Sequence, residues 1–310
     1  MPSDLVADLS HNALLSVTGD DAAAFLHAQF TNDVAALDPG AAQWNGWCSA
    51  KGRLLATFLL ARRRDEFLVM LPAEIAAPVA KRLAMFVLRS KVKIADVSER
   101  FARIGVAGPN GAALIEKHWG ALPASMTCVE KDGAIAIALD AERFVALIPA
   151  VAAPAFRNLF TAEWQRAGAD AWEWHSIQSG MPTILAATQE AFVPQMANFE
   201  LMGGVSFKKG CYPGQEIVAR TQYRGTVKKR MALAHLGGTE RPQPGQSVYG
   251  AGFGDQAAGT IVNAAPAPGG GFDLLVVAQV ESLAQRDLHW NSPDGPRLEI
   301  RRHPPFANAS

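Results

Sequence analysis

The sequence lacks the residue patterns that build disulfide or metal frameworks. Its three cysteines, Cys48, Cys128 and Cys211, lie far apart and form no Cys-x-x-Cys pair. That argues against a disulfide scaffold and against a zinc or iron–sulfur site of ordinary ligand spacing, and it fits a reducing compartment. Long apolar runs are missing too. The stretch 54–60 falls far short of the roughly 20 residues needed to cross a bilayer, and Asp4 and Asp8 stand where a secretory leader would be basic and then apolar. The expectation is a cytoplasmic protein with no membrane partner. Neither sign of charge prevails, with 29 Lys plus Arg against 29 Asp plus Glu, so a nucleic-acid contact would need a local patch. No Gly-x-Gly-x-x-Gly, Walker-type or Ser/His/Asp pattern occurs, which leaves nucleotide hydrolysis and serine chemistry without support. His175 has no second His or carboxylate at ligand spacing and reads as structural.

What is present is an ordinary globular composition, 49% apolar and 19% charged over 310 residues, enough for two or three domains. An apolar run at 14–17 is closed by Thr18-Gly19-Asp20, with Asp20 placed to N-cap a helix over 21–30. Segments 43–49 and 53–61 flank Ala50-Lys51-Gly52 like a hairpin, and 67–71 completes a meander. An amphipathic helix over 72–88 follows, with Ile75, Val79, Leu83, Phe86 and Val87 on one face, then a strand over 91–97. The rhythm returns as strand 103–107, helix 111–118, strands 134–138 and 143–148, and helix 153–167. Beyond residue 230 short strands (231–236, 247–250, 259–262, 274–280, 297–301) alternate with Pro/Gly stretches, as in a small all-β barrel or sandwich. The fold class expected is α+β. Residues 1–97 with 170–229 form a first lobe, 98–169 a second, and 230–310 a C-terminal β-barrel.

The densest run of unusual residues is 177–230, where Gly, Pro, Asn and Gln replace periodicity, the anatomy of a site-forming loop. Cys211 follows Lys208 and Lys209 and precedes Pro213-Gly214 and a helix over 215–222. Cations and a helix N-terminus both favour a thiolate, so Cys211 is a candidate reactive thiol with Lys209 tuning it. On residue type alone, burial as a small apolar group is the competing role, and it is the one expected of Cys48 and Cys128. Between residues 208 and 230 seven cations (Lys208, Lys209, Arg220, Arg224, Lys228, Lys229, Arg230) face one acid, Glu216. Such a surplus could hold a polyglutamate tail or RNA, or be a solvated face. Trp164, Trp172 and Trp174 crowd the chain before His175, where a flat aromatic could stack on a heteroaromatic ring.

The octet Lys209-Gly210-Cys211-Tyr212-Pro213-Gly214-Gln215-Glu216 resembles the hallmark of the YgfZ family of folate-binding proteins. These are relatives of the glycine-cleavage T-protein (GcvT), an aminomethyltransferase. Pro194-Gln195 with Asn198, then Gly203 to Lys208, is similar to the segment that precedes the hallmark. Val17-x-Gly19-x-Asp21, Thr31-Asn32-Asp33-Val34 and Ala50-Lys51-Gly52-Arg53 are similar to the family's opening block. The resemblance implies two ferredoxin-like α+β lobes and a β-barrel in a GcvT-like ring around a folate channel. It also implies tetrahydrofolate, polyglutamylated or not, as cofactor, with Cys211 as the functional thiol. Trp172 matches one of the two folate-lining tryptophans. The other position falls near Asn12, with Trp44 or Trp47 as substitute aromatics. Gln195, Asn198 and Glu216 are the polar partners expected of the pterin.

The related transferases carry an acidic pair after the first hairpin, where this chain has Ala56-Thr57. An aliphatic or hydroxyl side chain cannot do a carboxylate's acid–base work, which argues against glycine-cleavage activity. The function implied is a tetrahydrofolate-binding accessory protein for assembly or repair of iron–sulfur clusters. Its partners would be iron–sulfur enzymes, including tRNA-modifying ones, or assembly factors. A one-carbon transferase using Cys211 or Glu216, and a tRNA-contacting protein using the basic segment, are the alternatives.

Overall fold

The structure is a computed structural model that describes residues 4–161, 163–250 and 252–302. Strands β1 (Leu5–Asp8) and β2 (Asn12–Thr18) precede helix α1 (Ala22–Gln29). The meander β3 (Ala42–Cys48), β4 (Leu54–Arg63) and β5 (Glu66–Pro72) leads through α2 (Ala73–Ala84) to β6 (Lys93–Asp96). Next come β7 (Phe101–Ala107), α3 (Gly111–Trp119), β8 (Cys128–Lys131), β9 (Ala134–Ala138), β10 (Arg143–Pro149), α4 (Ala153–Arg157) and β11 (Gln165–Ala167). Helices α5 (Ala169–Gln178) and α6 (Gln215–Tyr223) flank a long irregular stretch. The chain then adds β12 (Lys229–Leu236), β13 (Ser247–Tyr249), β14 (Gly259–Pro266), β15 (Phe272–Gln279), α7 (Val280–Gln285), β16 (His289–Trp290) and β17 (Glu299–Arg302).

The strands make three sheets, ordered β11-β1-β7-β10-β9-β8, β3-β4-β5-β2-β6 and β16-β13-β14-β15-β12-β17. The chain divides into two compact units. The first runs to His27 and adds Asp33–Asn45 and Phe58–Trp172; the second holds Ala28–Asn32, Gly46–Thr57 and the chain from Glu173 onward.

In the first unit the six-stranded sheet is buried on both faces, which is why β9 reads as the unbroken apolar run Ala134-Ile135-Ala136-Ile137-Ala138. Strand alternation splits it. Ala136, Phe144, Ala146 and Ile148 pack under α3 and α4 with Ile115, Trp119 and Phe156. Ile135, Ile137, Val145 and Leu147 face Leu14, Leu59 and Leu68 of the five-stranded sheet. Burying one such Ile or Leu contributes about 1.5–3 kcal/mol.

The second unit's all-β sheet has a core of Ala232, Ala234, Val248, Ile261, Leu274, Val276 and Trp290. Register shifts at Ile261/Asn263 and Leu233/Ala234 mark bulges that curl it. β16 and β17 end the strand order unpaired with each other, so the expected closed barrel is an open half-barrel.

Four expectations change. The helix foreseen over 153–167 stops at Arg157, and Gln165–Ala167 instead runs parallel to β1. The helical spacing of Phe156, Phe160 and Trp164 serves an edge-to-face ring ladder, at 5.5 and 5.1 Å, that continues after the helical backbone has ended. The helix over 72–88 ends at Ala84, leaving Phe86 at 43% exposure rather than on the buried face. Asp20 meets the Lys91 ammonium at 3.1 Å instead of capping α1. Finally, β1, assigned by sequence to the first lobe, pairs antiparallel with β7 in the other lobe's sheet.

Candidate functional site

The aperiodic stretch of the second unit is fastened by side chains rather than by a ladder. Thr31 Oγ1 donates to Gly204 O at 2.6 Å and accepts from Gly46 N at 2.8 Å, while Asn32 Nδ2 donates to Gly203 O at 2.8 Å. The Thr31-Asn32 pair therefore pins the loop that leads to the lysines. Lys209 is buried, and its Nζ donates to the Phe30 carbonyl at 2.6 Å while lying 5.0 Å from the centre of the Tyr212 ring. Burial raises the Tyr212 hydroxyl above its ordinary range, with the Cys48 thiol a further cause.

Past Cys211 the chain makes a closer contact. Gly214, at φ +80°, immediately precedes α6, and a Cβ there would sit 2.4 Å from Ser49 O and 2.6 Å from Gly52 Cα. Gly52, at φ +68°, returns the constraint, since its own Cβ would meet Ile217 Cβ at 2.8 Å. The Lys51-Gly52 turn and the Pro213-Gly214 turn thus touch backbone to backbone, which only glycine at both positions allows.

Cys211, three residues before Gly214, is exposed. The other thiols differ in kind. Cys48 is 2% exposed and burial pushes it up to about 12; burial together with the Glu130 charge pushes Cys128 up to about 11. A thiol held that high is almost wholly protonated near neutrality and inert.

A second knot lies upstream. Gln195 Nε2 donates to Val218 O at 2.8 Å, and Asn198, at φ +52°, donates through Nδ2 to Met231 O at 2.7 Å. Arg230 reaches Gln195 O, Asn198 Oδ1 and the buried Glu200 carboxylate. Burial raises the Glu200 carboxyl, with hydrogen bonding and the charge of Arg230 opposing it. Two buried acceptors, Gln195 Oε1 and Glu200 Oε2, have no hydrogen-bond partner among the described residues. Sequence reasoning missed the Arg230–Glu200 pair because Arg230 reads as one of a basic run. The available sign was a lone acid inside the apolar run Phe199-Glu200-Leu201-Met202. Thr57, at the position of the missing acid, is buried and fully engaged: its Oγ1 donates to Pro182 O at 2.8 Å and accepts from Ile184 N at 3.0 Å.

The GCVT N-terminal domain family matches residues 4–128. The tRNA-modifying protein YgfZ of Cronobacter sakazakii is 32% identical over 251 residues, 80% of this chain and 76% of its own length. That of Escherichia coli is 32% identical over 239 residues, 76% and 73%. The chain belongs to the YgfZ family. The crystal structure of the glycine cleavage system aminomethyltransferase T from Bartonella henselae covers 98% of this chain and is itself covered to 86%, with a TM-score of 0.71 at 15% identity. That likeness establishes a GcvT-like fold.

Within the YgfZ fold frame, Lys209, Cys211, Gln195, Asn198 and Glu216 all belong to the second unit, with Glu216 exposed in the first turn of α6. Trp172 and Asn12 belong to the first unit. Trp172 is 5% exposed in the core, its six-membered ring against Gly105, where an added Cβ would meet Cε3 at 2.4 Å. Asn12 lies at the start of β2, its Nδ2 3.0 Å from His11 Nε2. Of the substitute aromatics, Trp44 packs half-buried against the first unit's core, and Trp47, in the second unit, is buried. Of the seven cations, the structure draws Lys209 and Arg230 inward, leaving Lys208, Arg220, Arg224, Lys228 and Lys229. No described helix is long and apolar enough to cross a membrane, and the described residues hold no group of three His, Cys, Asp or Glu able to bind a metal.

Proposed function

We propose that this chain is a tetrahydrofolate-binding accessory protein that supports tRNA modification by maintaining iron–sulfur clusters in the enzymes concerned, with Cys211 as its functional thiol. The observation that carries the reading is the contrast among the cysteines: one thiol is displayed just before a glycine-locked turn while the other two are held protonated. The relatives' name, tRNA-modifying protein, supports the biological setting. For the folate, the unpartnered Gln195 Oε1 fits a pterin in kind, because the pterin edge carries N–H donors and a buried acceptor without a donor is costly. The amide nitrogens of Gln195 and Asn198 are committed to backbone carbonyls, so these residues also shape the loop. Trp172 has its stacking role from the resemblance alone; its surroundings give it a packing role.

The rival reading, a folate-dependent aminomethyltransferase or other one-carbon transferase, is disfavoured at Thr57. Its one hydroxyl proton is committed to the Pro182 carbonyl, and an alcohol so bound cannot replace a carboxylate in acid–base work. Titration with tetrahydrofolate, read by tryptophan fluorescence, tests the cofactor. The account expects saturable binding that weakens in Gln195→Leu, and no turnover of a one-carbon tetrahydrofolate. Absence of binding by the wild type would overturn the folate assignment. Turnover lost in Glu216→Ala would establish the transferase instead.

A further inference from the structure

Five cations between residues 208 and 230 remain without a side-chain hydrogen bond or ion pair among the described residues once Lys209 and Arg230 are drawn inward. Arg220 lies in the last turn of α6 and Arg224 is its C-cap, both exposed; Lys208, next to Phe207, and Lys228 are exposed too. Glu216, one turn before Arg220, is the single acid of the segment, so the face keeps a net positive charge. Tyr223 ends the same helix at 70% exposure, with Phe207 packed edge-on at 6.0 Å and 72°. A large ring so exposed adds little to folding, and a ring supported from one side by Phe207, with Arg220 three residues before it and Arg224 next in sequence, is suited to be a stacking platform.

We infer that the C-terminal end of α6, with Arg220, Tyr223 and the C-cap Arg224, together with Lys208 and Lys228, binds RNA, phosphates meeting the cations and an unpaired base stacking on Tyr223. The inference rests on the tRNA setting proposed above and names the surface that setting uses. The charge selects a polyanion; the aromatic selects one with flat bases, since an acidic protein or a polyglutamate tail offers Tyr223 nothing to stack on.

The test is fluorescence anisotropy of the full chain with an unmodified tRNA transcript across salt. We expect binding that weakens with salt, log Kd against log salt being linear. The pair Arg220→Glu with Arg224→Glu should weaken it about tenfold or more and flatten the slope by roughly 1.5–2, two phosphate contacts' worth. Tyr223→Ala should weaken it about tenfold at unchanged slope, and Tyr223→Phe should restore it, because stacking needs the ring and not the hydroxyl. Circular dichroism and tetrahydrofolate affinity check each variant, and neither should move. RNA binding identical in the arginine pair and the wild type would overturn the surface while leaving the tRNA setting intact. Binding of polyglutamate or an acidic peptide without RNA would overturn the choice of partner. No RNA binding by a wild type that still binds tetrahydrofolate would overturn the inference and not the folate reading.

Discussion

The first unit's six-stranded sheet and the second unit's 203–223 segment use residues in opposite ways. In the sheet, specificity comes from period-two alternation, with Ala and Ile of β9 serving two cores at once and no polar group needed inside. In the loop, little is periodic, and shape comes from single contacts: a lysine on a carbonyl, a threonine between two glycines, and two turns touching. Their thiols follow suit, since Cys128 on β8 is held protonated whereas Cys211 on the loop is displayed. The sheet is held by many packing contacts at once and the loop by a few polar ones, so in the loop the loss of one partner removes a whole fastening.

The largest break in that comparison is expected at Gly214. Gly214→Ala combines a left-handed φ with a Cβ 2.4 Å from Ser49 O, so it should cost about 3 kcal/mol or more and lower the melting temperature of the second unit. Gly269→Ala, with nothing within 4 Å, should stay within about 0.5 kcal/mol by the same measurement. Thiol reactivity comes next. Near pH 8, alkylation of the native protein followed by peptide mapping should label the exposed Cys211 first, Cys128 more slowly and Cys48 slowest, and unfolding should equalise the three. Comparable rates at Cys128 and Cys211 in the folded protein would erase the distinction between the regions. Lys209→Met should cost about 1–3 kcal/mol by removing the buried ammonium that donates to the Phe30 carbonyl, and should increase proteolysis of the loop more than that of the first unit.

Much of the sheets was legible because alternation is a local property: β4, β5, β9, β10 and β12 fall where apolar spacing puts them. β1 and α5 escaped, because β1's four residues are too short to show a period and α5 is nearly as apolar on one face as on the other. The end of α4 escaped for a different reason, since Phe156, Phe160 and Trp164 keep helical spacing while the backbone does not. Around the site, the motif residues were readable as a group, but their partners were not. Phe30 O, Ser49 O and Met231 O are backbone atoms brought from up to 179 residues away, and no side-chain pattern announces a carbonyl.

The smallest effect is electrostatic. Burial raises the Glu200 carboxyl, so the folded chain holds that proton more tightly than the unfolded one. Stability from this group is therefore present at acid pH and declines as pH rises from the ordinary glutamate range through the raised value. Glu200→Gln, which keeps an acceptor for Arg230, should flatten that decline in denaturant titrations run across pH.

Under the proposed function, the fastened loop displays Cys211 as a working thiol. The most direct test is complementation of a deletion strain by Cys211→Ala, read as the level of iron–sulfur-dependent tRNA modification, alongside tetrahydrofolate binding by the purified variant. The account predicts folate affinity like the wild type and no restoration of the modification. Full restoration by Cys211→Ala would contradict it and make the cysteine a structural residue of the loop.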